Sequence, residues 1–203
     1  TAFLEFIRGN LDFLSGIDAS YKDELLTPLG ELQERHKDRF YKISMPFLNT
    51  EYLGFQLDSQ HQSDENPLLN RRVRQAINYG FDREKMLAFL RNNMGTPAYG
   101  GFVPTGMPGF EETGKGYHYN PSRARELLAE AGYPGGVGLP VINLQTNAMY
   151  ADIAQFLQFE LSRIGIRISV DVLPPATLRE AMARGESPFF RASWIADYPD
   201  AEN

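Results

Sequence analysis

The sequence predicts an α/β fold with a mixed β-sheet, and helix starts, an alternating strand and the order of elements all indicate it. Two Asn-Pro steps, at residues 66–67 and 120–121, place an N-cap residue before a proline at the first helical position. Residues 166–172 alternate strictly between apolar and polar side chains, as a half-buried strand does. With a strand at 139–144 and an amphipathic helix at 153–164, they complete a βαβ unit, whose strands should be parallel and whose crossover should be right-handed.

Short apolar segments separated by polar breaks make up the first part of the chain. We expect a helix end over residues 2–7, a short strand over 11–14 and a helix over 25–40. Residues 41–55 carry large apolar side chains separated by short polar or proline steps, a pattern typical of extended backbone. The polar residues 61–66 then predict a loop.

Two helices and a long loop follow. The first Asn-Pro step should open a helix that runs to about Tyr79, and Asp82 should cap the next helix. We expect this second helix to bury its apolar side chains, which are Met86, Leu87, Phe89 and Leu90. Residues 97–116 are rich in glycine and proline and predict a long irregular loop, a kind that is usually functional or disordered.

The remaining elements alternate between helix and strand. The second Asn-Pro step opens a helix that ends before Gly132, and the βαβ unit follows it. A short helix is expected over 177–184 and a last strand over 189–194. This strand leads into residues 196–200, where the candidate site lies.

Composition and charge limit the possible classes of function. The 203 residues, 42% of them hydrophobic and 23% charged, are enough for one large folded domain or two small ones. The 20 Lys and Arg against 26 Asp and Glu leave a formal charge of −6, which argues against a general binder of nucleic acid or anionic membranes. No apolar stretch is long enough to span a bilayer, and the lack of cysteine excludes disulfides and thiol chemistry.

No cofactor and no metal site is predicted. The three histidines, His36, His61 and His118, lie in different predicted elements, and none has a partner at ligand spacing. The sequence also contains neither a G-x-S-x-G nucleophile elbow nor a glycine-rich phosphate-binding pattern.

The end of the last strand carries the candidate binding residues. Trp194 is either a core residue or a pocket wall, and Asp197 follows it at the carboxyl end of the strand, where open α/β sheets bind ligands. A carboxylate desolvated by Trp194 and Tyr198 suits a small cation such as a primary ammonium. Arg191 precedes the tryptophan by three residues and points either to the same crevice or to solvent.

A catalytic interpretation of the same segment is weaker. Asp197, Asp200 and Glu202 form a cluster of carboxylates, and a hydrolase of the glycosidase type needs two such groups on either side of its substrate. A short acidic segment is more often a solvated loop, and nothing at the required spacing supports a carboxylate-dependent hydrolase.

Four segments, in matching order, resemble the extracytoplasmic solute-binding proteins of peptide ABC importers, bacterial solute-binding protein family 5. Residues 70–84 (NRRVRQAINYGFDRE) are similar to the family signature R-x-A-(I/L)-x-x-A-x-D-R, and residues 119–133 (YNPSRARELLAEAGY) to its D-P-x-K-A-K-x-L-L-x-E-A-G-Y helix. Residues 194–200 resemble its W-x-x-D-x-x-D segment, and 95–98 (GTPA) the segment after the signature helix. Weaker matches extend the resemblance over nearly the whole chain, at 16–18 and 51–55.

The resemblance implies one mixed-sheet lobe of a two-lobed periplasmic-binding-protein-like fold of type II. Residues 1–60 would be a hinge-proximal segment, and residues 61–203 the second, carboxyl-terminal ligand-binding lobe, truncated at its C-terminal end. We also expect the chain to be a piece of a longer protein, because it opens at Thr1 without a signal-peptide pattern.

The resemblance further implies short peptides as ligands. In peptide-binding members the aspartate of the W-x-x-D segment pairs with the α-ammonium of the ligand, and this role carries over to Asp197. Trp194 and Tyr198 would line the pocket, and Arg191 would meet ligand carboxylates, as in some oligopeptide binders. Many members continue the segment as D-P, whereas this chain has Asp-Ala at 200–201, so the ligand details differ.

The implied partners are a short peptide and the membrane permease of an ABC transporter, with no nucleic acid. The protein would be a monomer, in the periplasm or as a cell-surface lipoprotein. Within the same transport role, a nickel chelate, haem, glutathione or an oligosaccharide is the alternative ligand. Asp197 favours a ligand with a free amino terminus over these alternatives, because an ammonium in a dry cleft needs a charge partner. The isolated chain would bind poorly, because it provides only half of a cleft.

Overall fold

The computed structural model forms two compact units. The smaller unit is Thr1–Met45 with Glu84–Pro97, and the larger one is Pro46–Arg83 with Ala98–Asn203. The described residues are 2–17, 21–58, 65–111, 116–200 and 202. Asp18, His61 and Ala201, which carry sequence predictions, lie outside the described residues. So do residues 61–64 of the predicted loop at 61–66 and residues 112–115 of the predicted loop at 97–116. The predicted division of the chain near residue 60 stays a prediction.

Seven α-helices and four strands are found in the described part of the chain. The helices are α1 (Ala2–Ile7), α2 (Lys22–Leu25), α3 (Arg71–Tyr79), α4 (Arg83–Arg91), α5 (Pro121–Glu130), α6 (Ala151–Ser162) and α7 (Pro175–Ala183). The strands are β1 (Asn49–Phe55), β2 (Ile142–Thr146), β3 (Ile168–Val172) and β4 (Phe189–Ile195). Short 3₁₀ turns lie at Glu34–His36, Pro67–Leu69, Pro134–Gly136 and Ala148–Tyr150.

The smaller unit has a small apolar core and one buried amide that fixes its turns. Phe3, Leu25 and Leu26 form the core. Asn92, which is 1% exposed, donates from its side-chain nitrogen to Asp23 Oδ1 (2.9 Å) and to the Thr27 carbonyl (3.0 Å). These bonds join the residue that follows α4 to α2 and to the turn after α2, because Asp23 lies in that helix.

Two predicted elements of the smaller unit are wrong. Residues 11–14 form no strand, and the predicted helix over 25–40 contains only the last residue of α2 and a 3₁₀ turn. The chain instead reverses at Gly30, whose φ of 78° is rarely adopted by residues with a side chain. This turn brings Leu26 and Leu32 together as an antiparallel bridge.

Helix α4 is less buried than its apolar side chains predict, so that this prediction is also wrong. Phe89 is 67% exposed, and Met86, Leu87 and Leu90 are half-buried. A unit as small as this one buries a smaller fraction of its surface than a large domain does, which leaves part of the helix uncovered.

Only the second half of the predicted extended segment at 41–55 is a strand. Strand β1 begins at Asn49, and residues 41–47 have no ladder partner within the described residues. Pro46 lacks the N–H group that a β-ladder requires, which explains part of this difference.

The larger unit contains a mixed sheet, as the sequence predicts. Its strand order is β1-β4-β2-β3; β4 is antiparallel to β1 and parallel to β2, and β2 is parallel to β3. The predicted βαβ unit is therefore confirmed as β2-α6-β3 with parallel strands. Strand β2 begins three residues later than predicted, because Leu139 N–H bonds the Gly136 carbonyl (3.2 Å) within the preceding turn.

Helices pack on the sheet and on each other, and apolar side chains are buried between them. Helix α6 packs on β2 and β3, and α3 packs on α5. The largest fully buried apolar side chains of this unit are Leu68, Val73, Ile77, Leu128, Leu139, Leu144, Leu157, Leu161, Ile166 and Phe189.

Asparagine side chains cap two of the helices in this unit. Asn120 Oδ1 accepts from Arg123 N–H (2.9 Å), as the second Asn-Pro step predicts. The first step differs, because Asn66 caps a 3₁₀ turn and Asn70 caps α3, by accepting from Arg72 N–H (2.9 Å).

Gly54 of β1 is fixed by a close approach of the paired strand. Phe190 lies opposite it in the ladder, and a Cβ atom on Gly54 would overlap the Phe190 ring. The Gly54→Ala variant should therefore lose about 1–3 kcal/mol of unfolding free energy, although alanine is otherwise favoured over glycine inside a strand. Denaturant unfolding followed by circular dichroism measures this loss.

The control is Ser193→Ala, which changes an exposed side chain of β4. It should change the unfolding free energy by less than about 0.5 kcal/mol. Equal stability of the Gly54→Ala variant and the unchanged protein would contradict the role given to the Phe190 contact.

Candidate functional site

Strand β4 extends past the end of its neighbour β2, so that Trp194 and the residues after the strand lie beyond that end. The two strands pair at Gln145 and Phe190, one residue before the end of β2, whereas β4 continues to Ile195 beside β1. Because β2, β3 and β4 are parallel, their carboxyl ends lie at one edge of the sheet. We call it the carboxyl edge, and open α/β sheets bind ligands at such edges.

An apolar groove lies at this edge, beside the ends of β2 and β3. Its volume is about 680 Å³, and residues 147–149 and 172–175 line it. Two large apolar side chains of the groove are open to solvent, since Met149 is 74% and Val172 48% exposed. Exposed apolar surface that is gathered in a concave site is typical of a place that holds a ligand.

Arg191 is buried on one face of β4. Its side chain is 6% exposed and forms an ion pair with Glu51 of β1, and its guanidinium carbon lies 3.1 Å from the centre of the Tyr150 ring. Burial lowers the pKa of Arg191 to about 10, so that the guanidinium remains a cation at neutral pH. Its Nε and Nη2 atoms make no hydrogen bond with the described residues, so that Nη2 contacts Glu51 as an ion pair alone.

Trp194 projects from the opposite face of β4, because side chains three positions apart along a strand point to opposite sides. Its ring centre lies 5.6 Å from that of Phe102, which lies 5.2 Å from that of Tyr52. Thr50, opposite Trp194 in the ladder, donates from Oγ1 to the Phe102 carbonyl (2.7 Å). These contacts hold the loop around Phe102 against this face of the sheet.

Asp197 and Tyr198 follow the carboxyl end of β4. Ala196 N–H still bonds the Leu48 carbonyl (2.9 Å), which continues the pairing one residue beyond the strand. The Asp197 side chain is exposed, and Tyr198 is 56% exposed.

The four predicted site residues are therefore distributed over three places. Arg191 lies on one face of β4, Trp194 on the other face, and Asp197 and Tyr198 beyond the end of the strand. The roles that the resemblance implies for them stay predictions.

Sequence reasoning missed two residues of this region, Glu51 and Tyr150. Glu51 reaches Arg191 only because β1 pairs with β4, and these strands are far apart in the sequence. Tyr150 ends the 3₁₀ turn that follows β2. One signal was available, because Glu51 is a charged residue within an otherwise apolar-rich strand.

The histidines and carboxylates show no arrangement for metal binding in the described residues. His36 Nε2 lies 3.0 Å from the Glu24 carbonyl, and the His118 ring packs on Tyr99 with ring centres 4.0 Å apart. In the same part of the chain, no helix combines the length and apolar character needed to cross a membrane.

The fold of the chain matches part of a solved periplasmic binding protein. It aligns with the ABC transporter-associated periplasmic binding protein DppA from Helicobacter pylori, solved in complex with peptide STSA, with a TM-score of 0.75. The alignment covers 100% of this chain and 36% of that chain, at 23% sequence identity. At this identity the likeness shows the fold alone.

The chain belongs to the bacterial extracellular solute-binding proteins, family 5, because the model of the middle region of that family matches residues 1–203. This finding confirms the resemblance that the sequence motifs indicate. The family consists of solute-binding proteins, in agreement with the prediction of a binding module and not an enzyme.

Two proteins related to this chain in sequence are named after different ligands. The glutathione-binding protein GsiB from Shigella flexneri is 29% identical over 144 residues, which are 68% of this chain and 28% of that protein. Heme-binding protein A from Haemophilus influenzae is 29% identical over 161 residues, 77% of this chain and 28% of that protein. The chain thus spans less than a third of the length of either relative.

Two buried threonines give a matched test of the contact between Thr50 and the loop around Phe102. Thr50 is 7% exposed with its hydroxyl bonded, whereas Thr146 is 0% exposed and its hydroxyl has no partner among the described residues. Thr50→Val should lower the unfolding free energy by about 1 kcal/mol, and Thr146→Val should leave it unchanged or raise it.

Denaturant unfolding of both variants side by side checks this prediction. An equal loss in the two variants would mean that the Thr50 hydroxyl contributes nothing specific to the loop contact.

Proposed function

We propose that the whole protein is the substrate-binding component of an ABC importer and that it captures short peptides by their α-ammonium group. The observation that carries the proposal is the position of Asp197, an exposed carboxylate just beyond the end of β4 at the carboxyl edge. Membership of the solute-binding family supports the transport role. The peptide in the related Helicobacter pylori structure supports the ligand class.

The ammonium of a peptide is the chemical group that suits Asp197 best. An ammonium that leaves water loses its hydration, and a carboxylate with good hydrogen-bond geometry compensates for that loss. In the open lobe Asp197 keeps its own hydration, because it is exposed. Closure of a second lobe over the peptide would remove water from both charges and strengthen their attraction.

The remaining contacts of the edge fit the rest of a peptide. The apolar groove at 147–149 and 172–175 is large enough for an apolar side chain. Trp194 and Tyr198 offer aromatic surface near Asp197 in the sequence. The peptide backbone would be held by main-chain hydrogen bonds, as an added β-strand is. Binding of this kind is selective for peptide length and termini more than for side chains.

Delivery to a membrane permease completes the proposed role. Binding between two lobes would shift the population towards a closed form, and the permease would recognise that form. We place the protein outside the cytoplasm, in the periplasm or as a lipoprotein at the cell surface, and as a monomer. The family description as extracellular supports this location.

A solute other than an ordinary peptide is the second candidate, because the two named relatives bind glutathione and haem by their names. Haem has no ammonium group, so its binding would not depend on the charge of Asp197. Glutathione has an α-ammonium of its own, so its binding would also depend on the charge of Asp197. Only its other groups would distinguish it from an ordinary peptide.

The test is the Asp197→Asn variant of the full-length parent protein, titrated with short peptides by isothermal calorimetry. Removing one partner of a buried charge pair costs roughly 3–5 kcal/mol, so peptide affinity should fall by at least about a hundredfold. The unfolding temperature should stay close to that of the unchanged protein, since Asp197 is exposed. N-acetylation of the peptide should produce a similar loss in the unchanged protein.

Asp200→Asn is the matched control, because Asp200 is another exposed aspartate of the same segment. It should leave the affinity within about threefold, as expected for a charge outside the pair. Comparable peptide affinity in the Asp197→Asn variant and the unchanged protein would contradict the proposal that Asp197 binds the α-ammonium of the peptide.

A further inference from the structure

Glu51 and Arg191 form a charge pair that the pairing of β1 with β4 sets in place. In this ladder Glu51 lies opposite Ser193 and Arg191 opposite Leu53, which makes the two charged residues diagonal neighbours on the same face of the sheet. Their side chains form an ion pair. The pair is thus built into two regular strands and does not depend on a loop.

The two members of the pair are buried to different depths. The Arg191 side chain is 6% exposed, whereas the Glu51 side chain is 39% exposed. The Tyr150 ring covers one face of the guanidinium, at 3.1 Å from its centre to the guanidinium carbon. Glu51 is therefore the more accessible member of the pair, and its carboxylate already contacts the buried guanidinium.

This pair lies at the carboxyl edge, and its residues are close in sequence to residues that line the groove. Arg191 directly follows Phe190, the residue of β4 that pairs with β2. Tyr150 directly follows Met149, one of the groove residues. A ligand that fills the groove therefore lies near the turn that covers Arg191.

Desolvation explains why Arg191 needs an anion at all times. A buried guanidinium has lost most of its hydration, and burial lowers the pKa of Arg191. Without Glu51 the cation would be uncompensated, which is costly in a protein interior. Glu51 supplies the anion permanently, so that a ligand carboxylate would gain little by replacing it.

We propose that Glu51 is a specificity-determining residue of the carboxyl edge. Its ion pair with Arg191 disfavours ligands that place a carboxylate beside the guanidinium. Neutral or cationic groups are the chemical class that this position accepts. The inference rests on the proposed peptide-binding function and deepens it. It also gives Arg191 a role different from direct contact with ligand carboxylates, since Glu51 already holds the guanidinium.

The first experiment compares peptide acids with peptide amides. A length series of alanine peptides, each with a free carboxyl or an amide terminus, is titrated by calorimetry into the full-length parent protein and its Glu51→Gln variant. The unchanged protein should bind the amide at least as tightly as the acid at every length. In Glu51→Gln the acid should gain about tenfold over the amide at one length, because the carboxylate can now bond Arg191.

Two further variants make the result specific. Glu51→Gln combined with Arg191→Met removes both charges, and its acid-to-amide ratio should return to that of the unchanged protein. Glu180→Gln removes the α7 carboxylate of an exposed ion pair with Arg184, the residue that follows this helix, and its ratio should not change. An unchanged ratio in Glu51→Gln, with peptides still binding, overturns the inference and leaves the proposed function intact.

A second measurement needs no peptide. The Glu51→Ala variant should unfold at a lower temperature, and sodium acetate should raise that temperature more than sodium chloride of equal ionic strength does. Acetate restores the missing carboxylate beside Arg191, so the difference between the two salts should be larger in Glu51→Ala than in the unchanged protein and in Glu180→Gln, which show only the general effect of acetate on protein stability. A difference in Glu51→Ala that is no larger than in these two proteins overturns the inference. A lack of any peptide binding in the unchanged protein overturns the proposed function, even where acetate acts as expected.

Discussion

The pairing of β4 with β1 is the constraint on which the candidate site depends. Beyond Phe190 and the end of β2, strand β4 has β1 beside it as far as Ile195. This pairing satisfies backbone N–H and C=O groups along the side of β4, which would otherwise be unpaired as in an edge strand. It also fixes the neighbours of each side chain, so that Glu51 reaches Arg191 and Thr50 lies opposite Trp194.

The alternation of side chains along β4 then gives each face its own chemistry. One face carries the buried charge pair of Arg191 and Glu51, and the other carries Trp194 packed on Phe102. Asp197 lies where the strand has ended and its side chain is exposed. A single segment of sequence therefore supplies a buried cation, an aromatic surface and an exposed carboxylate, and the backbone geometry keeps the first two apart.

Local signals predict much of the fold and part of the site. The helix cap at Asn120 and the alternating pattern of β3 are each recognised from a few consecutive residues, and the cap and the strand both form as expected. The predicted helix over 25–40 fails because Gly30 reverses the chain and allows a bridge between residues that follow α2. Glu51 could not be found in this way, because its importance arises from a partner in a distant strand.

Native mass spectrometry tests most directly whether the parent protein carries short peptides. The full-length protein, purified without denaturation, should retain part of the ligand with which it closes. We expect a ladder of added masses that match short peptides with free amino termini, because Asp197 is exposed at the carboxyl edge. A single added mass that matches no peptide would leave the family and fold as they are and would contradict the role given to Asp197.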